Sequence, residues 1–324
     1  MKLVTFSSSG LLPGKDRLGF LDNDQIVDPL EALADDAPER AVFDDMVAFI
    51  RSGEPGLALA KDIIASAPAS ARLPLSEVRL AAPIKPSTIL CSGSNYHAHN
   101  AEKAAAPISG REPEFFVKTA DCVVGPDAAI VHDERLTKKL DCETELAVVI
   151  GKPGRHIAVA SALDHVFGYT IVNDVTARDQ QVRISPEGFT WYELGRGKAF
   201  DTSAPLGPVI VTADEIPDPQ ALQLSTRING DLRQSTSTGD MIWSCAELIH
   251  FFSVNFTLKP GMVIITGTPA GTSWSVDKDL GGKWTPAPGL VAATRYCLPG
   301  DVIESEIEKI GVLRNPVMSA DSAG

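Results

Sequence analysis

Short apolar runs separated by glycine-containing turns constrain the fold of this chain more than any other feature of its sequence. Seven runs are rich in β-branched and large apolar residues and are shorter than an ordinary helix: 88–90, 146–150, 169–172, 206–211, 223–228, 262–265 and 302–307. Turn clusters join several of them, for example Asn229-Gly230-Asp231 and Pro299-Gly300-Asp301, and glycine supplies the positive φ that such turns need. The pattern predicts a mainly β domain of hairpins and mixed sheets.

Helical signals are few. Ser244 and Glu247 form an S-x-x-E capping box before an apolar stretch, which predicts a helix there, and a second helix is predicted over residues 161–166. Strand-like runs at 17–21 and 25–27 precede a helical stretch near 43–50, which predicts a small α+β domain over residues 1–72. Residues 65–86 are rich in Ala, Pro and Ser, which favours a connection between folding units. The larger domain is expected to occupy residues 73–324.

Composition limits the classes of partner. The 324 residues include 42 acidic and 29 basic side chains, and no stretch gathers lysine and arginine into a stripe, so nucleic acid is not an expected partner. The five cysteines contain no C-x-x-C pair, which argues against a disulfide framework or a zinc knuckle. The sequence contains no signal-like segment and no run of about 18 apolar residues. We therefore expect a cytoplasmic protein without a membrane partner.

Acidic residues alternate immediately before one of the apolar runs. If Asp141, Glu143 and Glu145 belong to the strand that continues through residues 146–150, their side chains share one face. Carboxylates about 7 Å apart repel one another, and a hard dication between them turns that repulsion into coordination. A solvated strand face is the alternative interpretation.

A further carboxylate, Asp174, ends the apolar run 168–173. Its alternative role is the N-cap of a helix over residues 177–181. Three carboxylates from two strand ends, without accompanying Cys or paired His, match magnesium or manganese better than zinc, with Ca²⁺ as a further hard dication. The sequence thus predicts a Mg²⁺ or Mn²⁺ site on Glu143, Glu145 and Asp174.

Seven motifs extend over most of residues 80–317. They are Ser94-Asn95-Tyr96 with His99 and Glu102, Glu143-x-Glu145 with the run to Lys152, Asn173-Asp174-Val175-Thr176-Ala177-Arg178-Asp179, Gly197-Lys198-Ala199-Phe200-Asp201, Asp240-Met241-Ile242-Trp243-Ser244, Thr266-Gly267-Thr268-Pro269-Ala270-Gly271, and Ile310-Gly311-Val312-Leu313-Arg314-Asn315-Pro316. In content and order they resemble the fumarylacetoacetate hydrolase family, also called the acylpyruvate hydrolase family.

The resemblance implies a mixed β-sandwich or roll catalytic domain of the fumarylacetoacetate hydrolase C-terminal type. The fold class expected for the chain is α+β and predominantly β. The resemblance also implies that Glu143, Glu145 and Asp174 are the metal ligands. It implies that His99 and Glu102 form an acid/base dyad on a short helix that closes over substrate, and a spacing of three residues puts them on one helical face.

Other roles follow from the same resemblance. Lys198 matches a lysine that faces the metal, where its ammonium would stabilise an oxyanion or enolate. Arg178 and Gln181 match positions that bind polar or anionic groups of the substrate. Thr268 would offer its hydroxyl and backbone N–H to the substrate carboxylate, and a purely structural turn is the alternative. A surface lysine and a polar loop histidine are the alternatives for Lys198 and His99.

The implied reaction is metal-dependent hydrolysis of a carbon–carbon bond in an acylpyruvate-type 2,4-dioxo acid, such as fumarylacetoacetate or fumarylpyruvate, through a metal-bound enolate. Decarboxylation of oxaloacetate-like acids and dehydration or hydration of 2-oxo-3-deoxy sugar acids are alternatives on the same site. A non-catalytic metal-binding module is disfavoured because His99, Glu102 and Lys198 are all present.

The resemblance further implies a homodimer. The acidic pI and the expected cytoplasmic location are compatible with a catabolic enzyme of aromatic or sugar-acid breakdown. Two loops, 183–196 and 272–298, are enlarged relative to simpler family members and contain Trp and Tyr. They are expected to line or cover the pocket, or to serve a subunit interface.

Overall fold

Strands form most of the regular structure. The computed structural model describes residues 1–8, 15–102 and 111–322. Up to residue 81 the elements are strands β1 (Lys2–Ser8), β2 (Arg17–Asp22), β3 (Gln25–Val27), β4 (Arg72–Pro74) and β5 (Val78–Ala81), with helices α1 (Pro29–Ala32) and α2 (Met46–Ser66). Helix α2 has non-helical backbone angles at Gly53, two residues before Pro55, and is kinked there.

The central part of the chain contains many short elements. Its strands are β6 (Ile89–Gly93), β7 (Glu114–Lys118), β8 (Val123–Val124), β9 (Ile130–His132), β10 (Leu140–Asp141), β11 (Thr144–Ile150), β12 (Val166–Asn173), β13 (Thr176–Ala177), β14 (Val182–Ile184), β15 (Thr190–Tyr192) and β16 (Ala204–Thr212). Three short helices lie between them: α3 (His97–Ala101), α4 (Arg178–Gln181) and α5 (Leu194–Lys198).

The C-terminal part completes both main sheets. It contributes β17 (Gln223–Ile228), β18 (Asp231–Ser237), β19 (Val263–Ile265), β20 (Val302–Ile307) and β21 (Gly311–Ser319), with helix α6 (Cys245–Asn255). Both reciprocal hydrogen bonds of the predicted capping box form at the start of α6, between Ser244 and Glu247. The helix predicted over residues 161–166 is a 3-10 helix, Val159–His165.

Twelve strands form one large mixed sheet. Its order is β4-β3-β2-β1-β16-β12-β11-β19-β6-β7, with β5 beside β1 and β8 beside β16. A five-stranded sheet has the order β18-β17-β20-β21-β9, and β10-β13 and β14-β15 form two-stranded pairs. Each of the seven predicted runs lies in a strand of the two main sheets, except for Thr88 and Met262, which immediately precede β6 and β19. The predicted α+β, predominantly β fold class is confirmed.

Strand β11 shows how the sheet is buried on both faces. Its side chains alternate between two apolar clusters: Leu146, Val148 and Ile150 pack on the side of α6, and Ala147 and Val149 pack on the side of α2. All seven residues of β11 are buried. This explains why the sequence reads as a continuous apolar run rather than as an alternation of polar and apolar residues.

Residues 65–86 are not the plain connection that their composition predicted. Strand β4 pairs with β3, and β5 pairs with β1. Strand β1 also pairs with β16, so the N-terminal strands extend the large sheet. Hydrogen bonds from distant strands stabilise these short segments, and local composition does not reveal such partners. The division of the chain at residue 72 stays a prediction.

Four strand termini gather at one end of the large sheet. Strand β11 begins where β12 ends, because the two are antiparallel with Thr144 opposite Asn173. Strands β19 and β6 are parallel and end on the same side, with Ile265 beside Cys91 and opposite Ala147 of β11. The residues just beyond these termini therefore lie close together. Within the described ranges, none of the helices has the length and apolar character needed to cross a membrane.

Candidate metal centre and active site

Three carboxylates meet at this end of the sheet. One oxygen from each of Glu143, Glu145 and Asp174 lies within 4.8 Å of the other two, and all three residues are buried. The Asp174 N–H donates to Glu143 O at 2.8 Å, and the Glu143 N–H donates to Asn173 Oδ1 at 2.9 Å. These bonds hold Glu143, which directly precedes β11, against the end of β12. The structure thus brings together the three carboxylates that the sequence singled out.

Asp141 does not join this cluster. Strand β10 ends at Asp141 and β11 begins at Thr144, so residues 141–145 are not one continuous strand. Asp141 Oδ2 accepts a hydrogen bond from Arg178 Nε at 2.9 Å, and Oδ1 accepts the backbone N–H of Ser273 at 2.9 Å. The prediction that Asp141, Glu143 and Glu145 share one face is therefore wrong for Asp141.

Lys198 and Arg178 are two of the buried cations that compensate the cluster. Lys198 Nζ lies 2.5 Å from both Glu143 Oε2 and Asp174 Oδ2, and Arg178 Nη2 donates to Glu143 Oε1. Burial alone would raise the pKa of Glu143, but Arg178 and Lys198 hold that pKa well below its ordinary value. Burial alone would lower the pKa of Lys198, but attraction to Asp174 and Glu143 raises it.

Glu145 is less well compensated. Burial, followed by repulsion from Asp174 and Glu143, raises the pKa of Glu145 well above its ordinary value. Its Oε2 accepts the backbone N–H of Gly267 at 2.7 Å. Gly267 has a φ of +90°, and a Cβ atom there would lie 2.7 Å from Asn95 Cβ. Glycine is therefore required to bring this N–H to the carboxylate.

The donor set fits a hard divalent cation. Carboxylate oxygens without a thiolate or imidazole favour Mg²⁺ or Mn²⁺ over Zn²⁺. Asp174 Oδ1 is buried and accepts no well-aligned hydrogen bond, although Lys118 Nζ lies 2.9 Å from it. Burial, together with repulsion from Asp174 and Glu143, raises the pKa of Glu145, and the Lys198 ammonium lies between Glu143 and Asp174. A dication held by Glu143, Glu145 and Asp174 would reduce the repulsion among the three carboxylates.

His99 and Glu102 lie together beside the cluster. His99 is on α3, and Glu102 is the residue at its C-terminal cap. His99 Nδ1 lies 2.6 Å from Glu102 Oε2, and both side chains are buried. The other ring nitrogen, Nε2, lies 3.9 Å from Glu143 Oε1. The imidazole therefore links the buried carboxyl group of Glu102 to the carboxylate cluster, which is a suitable geometry for proton transfer.

Residues that follow β19 hold Glu102 in place. Its Oε1 accepts the backbone N–H of Gly271 at 2.6 Å, its Oε2 accepts the Thr272 hydroxyl at 3.2 Å, and its carbonyl accepts the Lys283 N–H at 3.1 Å. Burial raises the pKa of Glu102 to about 8, although the Gly271 N–H opposes this shift. Near neutral pH Glu102 therefore keeps its proton, which it can share with His99 Nδ1.

Arg178 and Gln181, which were predicted to bind substrate, both line the pocket. The Arg178 guanidinium is already engaged by the protein. It donates to Asp141 Oδ2, to Gln181 Oε1 at 3.0 Å and to Glu143 Oε1, and its Cζ lies 5.0 Å from the centre of the Trp274 ring. These contacts orient Glu143 and Gln181. A direct bond from Arg178 to substrate stays a prediction.

The hydroxyl group of Thr268 is likewise engaged. Thr268 lines the pocket, but its Oγ1 donates to Thr144 O at 3.0 Å and accepts from Gln234 Nε2 at 2.9 Å. Gln234 also donates to Pro269 O at 2.7 Å. Donation from this hydroxyl to a substrate carboxylate, as predicted, would require the bond to Thr144 to break.

Lys118 is a site residue that the sequence reasoning missed. It is fully buried, and its Nζ lies 2.9 Å from Asp174 Oδ1 and 3.0 Å from Ser203 O, and also donates to Lys198 O. It thereby ties Asp174 to the backbone that carries Lys198. The available signal was the alternation of β7, in which Lys118 follows Phe116 on the buried face. A lysine at such a position needs a buried partner.

A pocket opens beside the carboxylates. The two enlarged loops supply part of its wall. Tyr192 and Leu194 come from residues 183–196 and Trp274 comes from residues 272–298, and the rings of Tyr192 and Trp274 meet edge to face at 6.0 Å. Of the roles left open by the sequence, lining the pocket is confirmed for these residues.

Comparison with known proteins decides the family. The model of the fumarylacetoacetate (FAA) hydrolase C-terminal domain matches residues 88–318. The chain belongs to the fumarylacetoacetate hydrolase family. The matched residues of this family member include the three carboxylates, Lys198, His99 and Glu102, and the resemblance inferred from the seven motifs is confirmed.

Relatives of this fumarylacetoacetate hydrolase family member include two proteins named oxaloacetate tautomerases. Oxaloacetate tautomerase YisK of Bacillus subtilis (strain 168) is 43% identical over 245 residues, which cover 75% of this chain and 74% of the relative. The mitochondrial oxaloacetate tautomerase fahd2 of Xenopus laevis is 38% identical over 319 residues, which cover 98% and 90% of the two chains.

Similar solved structures of the fumarylacetoacetate hydrolase family carry other activities in their names. Maleylpyruvate hydrolase from Sphingobium sp. SYK-6, in complex with manganese(II) and pyruvate, is 29% identical with a TM-score of 0.73, covering 98% of this chain and 99% of that one. Fumarylacetoacetate hydrolase from Exiguobacterium antarcticum is 34% identical with a TM-score of 0.74 and the same coverage. The chain is a metal-dependent enzyme of this family, whose members differ in reaction.

Proposed function

We propose that this enzyme interconverts the enol and keto forms of a small 2-oxo dicarboxylic acid of the oxaloacetate type. The direction of the His99 ring carries the proposal, because Nδ1 is held by Glu102 and Nε2 faces the carboxylate cluster. The names of the relatives from Bacillus subtilis and Xenopus laevis support it. Carbon–carbon hydrolysis, the reaction first expected from the motifs, becomes the second candidate.

Glu143, Glu145 and Asp174 would hold Mg²⁺ or Mn²⁺ at the floor of the reaction site. Such an ion, when bound, supplies a Lewis acid for the carboxylate and C2 oxygens of a 2-oxo acid. Lys198 contributes a second positive charge beside Glu143 and Asp174. Its ammonium would stabilise negative charge on the C2 oxygen as the proton leaves it.

Ketonisation moves one proton and breaks no carbon–carbon bond. The C2 hydroxyl group of the enol loses its proton, and C3 gains one as the carbon–carbon double bond becomes a single bond. His99 would deliver the proton to C3 from Nε2, and the dyad would regain a proton from the C2 hydroxyl group, directly or through water. Glu102 supports this role because its hydrogen bond to Nδ1 orients the ring, and its protonated carboxyl group can pass a proton to Nδ1 as Nε2 gives one up.

The pocket wall suits a reaction in which bulk water takes no part. Trp274 is almost fully buried and packs against Tyr192, and Phe116 and Leu194 also line the pocket. These apolar groups reduce access of water to a bound enol and strengthen the electrostatic effect of Lys198. A hydrolase, in contrast, must admit a water molecule to the face of its substrate.

Carbon–carbon hydrolysis of an acylpyruvate is the second candidate. The same dyad can accept a proton from water, which would then attack the distal carbonyl group of the substrate. The solved maleylpyruvate hydrolase supports this alternative, because it covers nearly the whole chain and its name includes manganese and pyruvate. The two candidates differ in whether pyruvate is released.

The deciding experiment follows both reactions with the same protein preparation. The purified enzyme is mixed with the enol form of oxaloacetate or with fumarylpyruvate, each in the presence of Mg²⁺, Mn²⁺ or EDTA. Loss of enol absorbance reports tautomerisation, and coupled lactate dehydrogenase reports pyruvate. We expect metal-dependent loss of enol absorbance without stoichiometric pyruvate. Cleavage of fumarylpyruvate with a higher kcat/KM than enol turnover would overturn the proposal in favour of hydrolysis.

A matched histidine pair tests the role of His99. His99→Asn should lower kcat by about 10²- to 10⁴-fold, the usual contribution of a general acid or base. His97→Asn, on the same helix but exposed, should retain wild-type activity. Equal losses in the two variants would show that α3 had merely been disturbed.

A further inference from the structure

Arg233 is a buried cation whose side chain the catalytic site does not use. It lies on β18 and is only 7% exposed. Its Nε and Nη2 atoms are buried, and among the described residues neither donates to an acceptor. Buried guanidinium groups are normally paired with carboxylates or hydrogen-bonded, because an unpaired donor loses its hydration without replacement. The position of Arg233 therefore calls for a specific partner.

Arg233 lines a pocket that shares no lining residue with the pocket beside the carboxylate cluster. The pocket lies between the β17–β18 hairpin and the segment that leads into β20. Its lining residues are Ile228, Asn229, Asp231, Arg233, Thr294, Arg295, Tyr296, Cys297 and Asp301.

The charged residues near Arg233 do not neutralise its positive charge. Arg295 forms two short bonds to Asp301, at 2.6 and 2.8 Å. Asp301 also accepts from Asn229 Nδ2 at 2.7 Å, so the negative charge of Asp301 is already compensated. Asp231 also lines the pocket, but it is exposed to solvent, where water screens its charge.

We propose that the Arg233 pocket binds a small oxyanion, carrying either phosphate or carboxylate groups, separately from the substrate. The guanidinium group of Arg233 would donate to two oxygens of the anion in the bidentate geometry that favours phosphates and carboxylates. Binding would give the buried guanidinium group an anionic partner, which it lacks among the described residues.

The pocket is connected to the catalytic dyad through the backbone of β18. Gly271 has a φ of +114°, and a Cβ atom there would lie 2.0 Å from Arg233 O. The N–H of the same glycine donates to Glu102 Oε1. The adjacent residue, Gln234, donates to Thr268. An anion that fixes Arg233 would therefore fix a strand segment that directly supports the active site.

Calorimetric titration of the Mg²⁺-loaded enzyme with inorganic phosphate, and separately with malonate, tests the proposal. We expect saturable binding of at least one of them and a rise in Tm of about 3 °C at a hundredfold excess over Kd. The variant Arg233→Met should lose this binding. The control Arg135→Met, at an arginine whose side chain is 79% exposed, should keep it. Anion bound at the metal would persist in Arg233→Met, so the comparison isolates the Arg233 pocket.

Crystals of the wild-type enzyme grown with selenate give a test that does not depend on a variant. The expected result is an anomalous selenium peak about 4 Å from the Arg233 guanidinium nitrogens, which puts selenate oxygens within hydrogen-bonding distance of them. Absence of saturable binding for both anions, equal binding by wild type and Arg233→Met, or selenium found only at other positions would each overturn the proposal.

Discussion

Lys198 Nζ lies 2.5 Å from Asp174 Oδ2 and makes an equally short contact with Glu143. The ammonium thus shares two of the three carboxylates that would hold a divalent cation. This arrangement lets Lys198 compensate the cluster and also places a positive charge close to the proposed ion. Compensation reduces the repulsion among the carboxylates, whereas the same positive charge repels a bound cation. Experiment can separate these two effects of Lys198.

Lys198→Met is expected to bind Mn²⁺ at least about tenfold more tightly, because a nearby positive charge that repels the ion is removed. The same variant should lose about 10²- to 10³-fold in kcat, because the developing oxyanion loses a charged donor. Calorimetric Mn²⁺ titration and enol turnover measure the two effects. Lys198→Arg keeps the charge and should keep metal affinity near that of the wild type. Weaker Mn²⁺ binding by Lys198→Met would contradict this account.

Glu145→Gln should lower divalent-cation affinity by more than about 100-fold, since loss of a group that merely supports a ligand already costs about 10- to 100-fold. Without metal, the variant should be at least as stable as the wild type, because the raised pKa of Glu145 reflects burial and repulsion that a neutral amide avoids. Calorimetry and thermal unfolding in EDTA check both parts. Glu306→Gln, on an exposed strand face, is the control. Unchanged affinity would remove Glu145 from the ligand set.

Enol turnover should decline as the pH rises through about 8. Burial raises the pKa of Glu102 to about 8, so the dyad loses its transferable proton above that pH and can no longer donate to C3. Hydrolysis with the dyad as base would show the opposite slope. Glu102→Gln should lower the rate and remove this limb of the pH profile. Initial rates of the wild type and of Glu102→Gln are measured across this pH range. The same pH profile for both proteins would refute the assignment of this limb to Glu102.

Stability should follow the same titration with a defined sign. The folded protein keeps the Glu102 proton up to a pH of about 8, whereas the unfolded chain loses it near 4.5. Between these values the folded state binds more protons, so the free energy of unfolding falls as the pH rises. Denaturant unfolding of the enzyme and of Glu102→Gln at the two ends of this range measures the difference. A wild-type stability that rises relative to the variant would contradict the raised pKa.

Asp141→Asn is expected to destabilise the protein by about 2 kcal/mol, the scale of a lost hydrogen bond to a charged partner. Its carboxylate accepts from Arg178 Nε and from the backbone N–H groups of Ser273 and Trp274, and an amide cannot accept all of them. Asp127→Asn breaks a surface ion pair with Arg314 and should cost less than about 1 kcal/mol. Urea unfolding compares the two, and equal losses would show that the buried contacts of Asp141 contribute no more stability than the surface ion pair of Asp127.

Some elements were predictable because their signal is local. Strand β11 contains seven successive buried residues, and Ser244 with Glu247 encodes the start of α6 through a capping box. The segment 65–86 was misjudged because β4 and β5 are short and depend on hydrogen bonds to β3 and β1. Composition reports the preference of a segment but not the presence of a distant partner.

The candidate site was likewise predictable where its signal is local and not where it depends on distant partners. The spacing of Glu143 and Glu145, with Asp174 at the end of another apolar run, predicted a carboxylate cluster, and the antiparallel register of β11 and β12 produces it. Alternation also suggested Asp141, but a break before Thr144 turns this residue away from the cluster. Such a break depends on pairing of β10 with β13, which local alternation does not encode.

The sequence by itself determined the chemical character of the centre, because residue type and strand periodicity place acidic groups at the end of buried strands. Only the tertiary structure decided how their charge is balanced. Lys118, Arg178 and Lys198 approach the carboxylates from three different elements. Ion pairing acts between atoms a few ångströms apart in space, so its partners become known only when the strands and loops that carry them have packed.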